Sequence, residues 1–366
     1  MRELFFIFLM LPLFFAHCYA EDIPDMLADL SGARQAQEAL SEEEKEIAGE
    51  LRLDGSYDTK GAIQRLWEAL CVKGKEQLIL SLRSVSEMIL LALLCAVAET
   101  FCTSKEMEET IDRIGCCALI LLVSGNLLEM LSRASETVNR LAAFSHFLLP
   151  ALFSTAAAGG AVVSASARFA AAWFSMDAFL ALSQRIILPL IYVYFALSVS
   201  QSLYENGILL SALQMSKSLA STALTVLAMA FGAYLSLTGL IAGSSDALSV
   251  KAARTLLSRS LPVVGGLLSD SASILLAAAS LVKNSLGVFA MISVCALCIS
   301  PVAAFSIRLL IFKAAASAVD CLPGAKLPKL ISSIASVFGL MLSLIGCCAA
   351  ILFMSIVSGI KTVNLA

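Results

Sequence analysis

Between residues 330 and 360 the chain carries no formal charge, and this constrains it more than any motif does. A helix needs about 20 apolar residues to cross the roughly 30 Å hydrocarbon core of a bilayer. Residues 141–167, 186–204, 218–245 and 286–307 are also free of formal charge. Weaker candidates lie at residues 88–98, bracketed by Glu87 and Glu99, at 114–128, and at 260–282, interrupted by Asp270. With 59% hydrophobic residues and a mean hydropathy of +0.88, the composition exceeds what a water-soluble core needs. The expected fold is an all-α integral membrane protein, a polytopic helical bundle with about eight transmembrane helices.

Ahead of these runs the chemistry changes twice. Arg2, the apolar residues 4–16 and then Cys18-Tyr19-Ala20 fit a secretory signal peptide over residues 1–20, cleaved after Ala20 or kept as an anchor. Residues 21–84 then form an acidic extracytoplasmic segment, with fourteen acidic and eight basic residues between 21 and 83. Ile63, Leu66, Trp67 and Leu70 recur at helical spacing within it. They predict an amphipathic helix that lies on the membrane, on a partner or on its own small domain. The polytopic domain takes up residues 85–366. With the acidic segment outside and eight crossings, the loops near 104–113, 164–185, 244–260 and 313–329 are expected in the cytoplasm. Arg133, Arg140, Lys217, Lys283 and Lys361 then fall on the opposite side.

The same composition narrows the chemistry. His17 and His146 are the two histidines, which leaves no His-based triad or multi-His metal site. The eleven cysteines sit mostly in apolar runs, where Cys acts as a small hydrophobe, and imply no disulfide framework. No Walker motif, dinucleotide fingerprint or nucleophile elbow occurs, so no cofactor is expected. An energy-supplying ATPase would be a separate chain. Nothing interleaves basic and aromatic residues as a nucleic-acid surface does.

One polar seam interrupts the apolar background. Counting back from Gly287 by three and four residues gives Asn284, Ser280, Ala277, Ser273, Asp270 and Gly266, all small or polar and on one helix face. Lys283 closes the same stretch, while Pro262, Gly265 and Gly266 open it with helix-breaking chemistry. Ionisable groups inside a bilayer are costly, so Asp270 is the first candidate for an ion or proton pathway. A small-residue packing face is the alternative. Further helix breaks are expected at Pro150, Pro189 and Pro301.

Those prolines also suggest a duplication. Pro150 and Pro262, Pro189 and Pro301, and Lys217 and Lys329 are each 112 residues apart. Candidate repeats are residues 141–252 and 253–364. Three spans in each would make the second copy inverted in the membrane.

The run LPVVGGLLSDSASILLAAASLVKNSLG, followed by Pro301 and KAAASAVD, resembles the stage III sporulation protein AE family of endospore-forming bacteria. FSHFLLPALFSTAAAGG and RIILPLIYVY resemble its earlier proline-marked segments. That resemblance brings no catalytic motif. It implies a non-enzymatic multipass subunit of the stage III AA-to-AH assembly, a channel or secretion-like conduit needed for forespore development. Its place would be the mother-cell membrane around the forespore, with other stage III subunits as partners. The competing expectation is a stand-alone secondary transporter that uses Asp270; a third is a purely structural anchor.

Overall fold

The computed structural model describes residues 37–49, 59–158, 162–260, 265–322 and 326–360; within them, the side chains of residues 59, 156, 158, 162–164, 235–260 and 265–284 lie outside the description. The expected signal peptide and Pro262 therefore lie outside the described residues. Among those described, the regular structure is helical throughout.

Near the start of the described residues lies a short helix. Helix α1 (Glu42–Ala48) begins at Ser41-Glu42-Glu43-Glu44, a capping-box sequence. Glu44 reaches back one turn, and its Oε2 accepts the Ser41 backbone N–H at 2.8 Å. Gly49 ends the helix with φ +76°, a conformation glycine adopts without a Cβ penalty, while its N–H donates to the Lys45 carbonyl at 2.7 Å.

Long helices follow. They are α2 (Thr59–Thr100), α3 (Lys105–Ala158), α4 (Val162–Leu182), α5 (Leu188–Leu203), α6 (Gly207–Ser260), α7 (Gly265–Val319) and α8 (Lys326–Ile360). A π-helical turn, Ser183–Ile187, joins α4 to α5 without interrupting the rod. The result is three consecutive hairpins: α2 with α3, α4–α5 with α6, and α7 with α8. Their tips lie at residues 101–104 and 204–206 and between Val319 and Lys326.

Helix α8 sits at the centre, packed on α7 most extensively and also on α3, α4, α5 and α6. Its apolar stretch is 67% buried against 28% for that of α2, so α2 is peripheral and shows Leu90, Leu93, Leu94 and Val97 outward. In lipid, tails compete equally for apolar side chains, so close packing holds such helices together. The packing is tight where glycines face a neighbour. A Cβ on Gly359 would sit 2.9 Å from Leu152 Cγ on α3. Rings interlock α7 and α8 at Phe312 and Phe338, edge to face at 5.1 Å.

The expected count of about eight transmembrane helices is not confirmed. Among the described residues five stretches are long and apolar enough to cross a membrane: Lys60–Thr100, Lys105–Thr155, Ala165–Leu203, Ser285–Val319 and Lys326–Ile360. The expected spans at 114–128 and 141–167 are not two helices with a loop, because α3 runs through the charges between them. Arg133 pairs with Glu129 one turn away at 2.8 Å, and Arg140 Nη2 holds Glu44 at 2.6 and 2.9 Å. The expected spans at 260–282 and 286–307 likewise share the single helix α7 from Gly265 onward. A dip in hydropathy is not a break in the backbone ladder.

Two related expectations change with it. Pro150 and Pro301 do not end helices; they lie inside α3 and α7, where a missing N–H and a bulky ring can be absorbed in a long rod. Pro189 stands at the first turn of α5, directly after the π turn. The cavity layout does not favour the inverted form of the repeat. That form needs Lys217 and Lys329 on opposite sides, yet both line one cavity. Each hairpin contributes an even number of long helices, and an even number keeps successive units in the same sense.

Candidate functional site

The cavity that joins the two lysines is formed where hairpin tips meet. Tyr204 closes α5, and Asn206 starts α6 by accepting the Ile208 N–H on its Oδ1 at 3.0 Å. Asp320 and Lys326 flank the second tip. Between these turns opens a space of 890 Å³. Its walls carry Lys217 from α6, Lys313 from α7, and Lys326 and Lys329 from α8, against the acidic Glu205 and Asp320. Ser198, Ser202, Ser317, Ser332 and Ser333 add hydroxyls, and Gln201 and Gln214 add amides. A volume of this order lies in the range of small-molecule sites.

The charges are not paired alike. Lys329 Nζ lies 3.9 Å from Glu205 Oε1. Lys326 is buried and lies within electrostatic reach of Asp112 on α3, as do Glu205 and Lys329. Asp112 is itself buried, in hydrogen-bonding contact with Glu99 across the first hairpin, while its Oδ1 has no partner. Cys116, one turn on, is hydrogen-bonded to Ser202 in the cavity wall. The first hairpin thus packs behind the tips of the other two. Lys217 donates to Ser336 Oγ at 3.0 Å. Partial burial, then the charge of Lys313, holds its pKa below the ordinary 10.5.

A second polar feature lies within the bundle. Arg308 of α7 points at Met130 of α3 beside a smaller cavity of 160 Å³ that also takes in Ser81, Asn126 and Phe338. It stands in line with the Glu129–Arg133 pair.

The seam expected from the sequence occupies the first half of α7. Gly265 and Gly266 begin the helix, and Asp270, Ser273, Ser280, Lys283 and Asn284 follow on its continuous backbone, with their side chains outside the described residues. Lys313 and Asp320 face the same cavity without forming an ion pair. Asp177 lies 3.7 Å from His146 Nε2. The vestibule itself was not anticipated. Its signal was a lysine next to the end of an uncharged run, at Lys217 and Lys329, and which ends converge is a tertiary property. Arg308 had a plainer signal, a lone cation directly after residues 286–307.

Comparison with known proteins adds the family. The family model for stage III sporulation protein AE matches residues 50–362. A Stage III sporulation protein AE from Bacillus subtilis (strain 168) is 24% identical over 242 residues, which cover 65% of this chain and 60% of that relative. The alignment thus spans less than two thirds of the relative's length. No solved structure matches.

Proposed function

Since the chain belongs to the stage III sporulation protein AE family, we propose that it is a non-enzymatic multipass membrane subunit of the sporulation stage III assembly. Its partners would be the other AA-to-AH subunits, in the mother-cell membrane that surrounds the forespore. The family match over residues 50–362 carries this reading. Helices long and apolar enough for a bilayer support it, as does a polar-lined vestibule at one end of the bundle. If residues 21–49 lie outside, α2 enters the cytoplasm and all three hairpin tips face the mother-cell cytosol. The vestibule would then be the cytosolic mouth of the subunit in a channel or secretion-like conduit, with any ATPase docking there as a separate chain.

The test is purification of the tagged full-length chain from sporulating cells in mild detergent. Copurification of other stage III subunits is expected, and its absence, with the chain intact and folded, would count against an assembly subunit. Solute uptake by the purified chain alone in liposomes, abolished by Asp270→Asn, would favour the stand-alone transporter instead.

A further inference from the structure

Two of the four vestibule lysines lack an acidic counterpart. Lys329 lies at ion-pair distance from Glu205, while Lys326 lies farther out but within electrostatic reach of Asp112. Among the described residues, no carboxylate lies within ion-pair distance of Lys217 or Lys313, although Asp320 shares the cavity. These two ammonium groups come from different helices, α6 and α7, and line one cavity; partial burial first, and then the charge of Lys313, lowers the affinity of Lys217 for its proton. Like charges brought together in a cavity raise the free energy of the fold unless a counter-charge sits between them.

The surroundings suit one kind of counter-charge. Ser317 lies one turn beyond Lys313, Gln214 lies one turn before Lys217, and Ser332 belongs to the same wall. Hydroxyl and amide donors beside two flexible ammonium groups can satisfy several oxygens of a tetrahedral anion from different directions. Lysine serves phosphate well as a point charge. The 890 Å³ space exceeds what a lone phosphate fills, so there is room for the rest of a larger molecule.

We propose that the vestibule binds a phosphate-bearing anion between Lys217 and Lys313. The phosphate could belong to a soluble small molecule or to the headgroup of an anionic lipid reaching the tips from the bilayer edge. Either source would replace the Lys217–Lys313 repulsion with two attractions and tie the second hairpin to the third. A ligand that binds the folded state alone raises stability in proportion to RT ln(1 + [L]/Kd).

The full-length chain in phosphatidylcholine nanodiscs, titrated with inorganic phosphate against chloride at equal ionic strength, tests this by thermal unfolding. A saturable rise in melting temperature is expected. Lys217→Gln and Lys313→Gln should each weaken the apparent affinity about tenfold or more, the loss of one charge-assisted contact. Lys217→Arg should retain most of it, and Lys105→Gln, outside the vestibule, should match the native chain. A parallel series in phosphatidylglycerol nanodiscs without added phosphate separates the sources: stabilisation there alone, lost in the same two variants, assigns the site to a lipid headgroup. No stabilisation from either source, as when the vestibule instead takes an acidic protein segment, would overturn the proposal. So would equal responses from the native chain and both glutamine variants.

Discussion

Glu44 is where the acidic head is fastened to the membrane body. Its carboxylate is buried, accepts the Ser41 N–H and receives two contacts from Arg140. Arg140→Ala leaves that carboxylate without its guanidinium and should cost about 1–3 kcal/mol, the range for hydrogen bonds to charged groups. Because α1 alone depends on the contact, limited proteolysis should cut near Gly49 sooner while the helical core melts almost unchanged. Lys217 behaves oppositely. Its folded pKa lies below 10.5, so the folded state holds its proton less tightly than the unfolded chain does, and the protonated group opposes folding. That penalty is fully present below the lowered pKa and fades as pH rises towards 10.5. In phosphate-free buffer Lys217→Gln should therefore melt higher than the native chain at pH 7, with the gap closing as the pH approaches 10. Neither residue was marked correctly by sequence alone. Arg140 and Lys217 were both expected as loop cations, because the sequence shows a charge but not the partner, 96 positions away for Glu44 and 119 for Ser336.

At the scale of elements, close packing sets the positions of the rods. Gly359 of α8 lies against Leu152 and Phe153 of α3. Gly359→Val should overpack this contact and cost about 1–3 kcal/mol. Leu152→Ala made in the same chain should recover part of the loss, and unfolding of the single and double variants in detergent measures the coupling. Helix identity was legible in the sequence, since uncharged runs such as residues 330–360 admit little else. Helix boundaries were less so. In α3 the charges at Glu129, Arg133 and Arg140 suggested a loop, yet an i,i+4 pair and a contact to α1 let the helix carry them onward. At Pro189 the backbone stays helical, with a π turn at Ser183–Ile187 directly before it. The common 112-residue offset of Pro189 and Pro301, and of Lys217 and Lys329, fits the α4–α5/α6 and α7/α8 hairpins as two units in one sense. We propose these hairpins as the copies of the candidate duplication.

For the whole molecule, the decisive property is which ends of the rods come together. Hairpins with even numbers of long helices return the chain to the end it started from, so residues 101–104, 204–206 and 320–322 gather at one end, the last two groups beside the vestibule and the first behind it. The opposite end keeps the α3–α8 contact at Gly359 and the bond from Arg168 to the Ser358 carbonyl at 2.6 Å. This polarity separates the account from an eight-span, inverted-repeat topology more sharply than any stability measurement could. The direct test is site-specific labelling of cysteine-substituted chains, otherwise free of cysteine, in sealed inverted membrane vesicles with a membrane-impermeant maleimide. Ser104→Cys, Asn206→Cys and a chain retaining native Cys321 should all be labelled from the same side. Labelling of Asn206→Cys from the side opposite the other two would contradict the shared vestibule and restore the inverted arrangement.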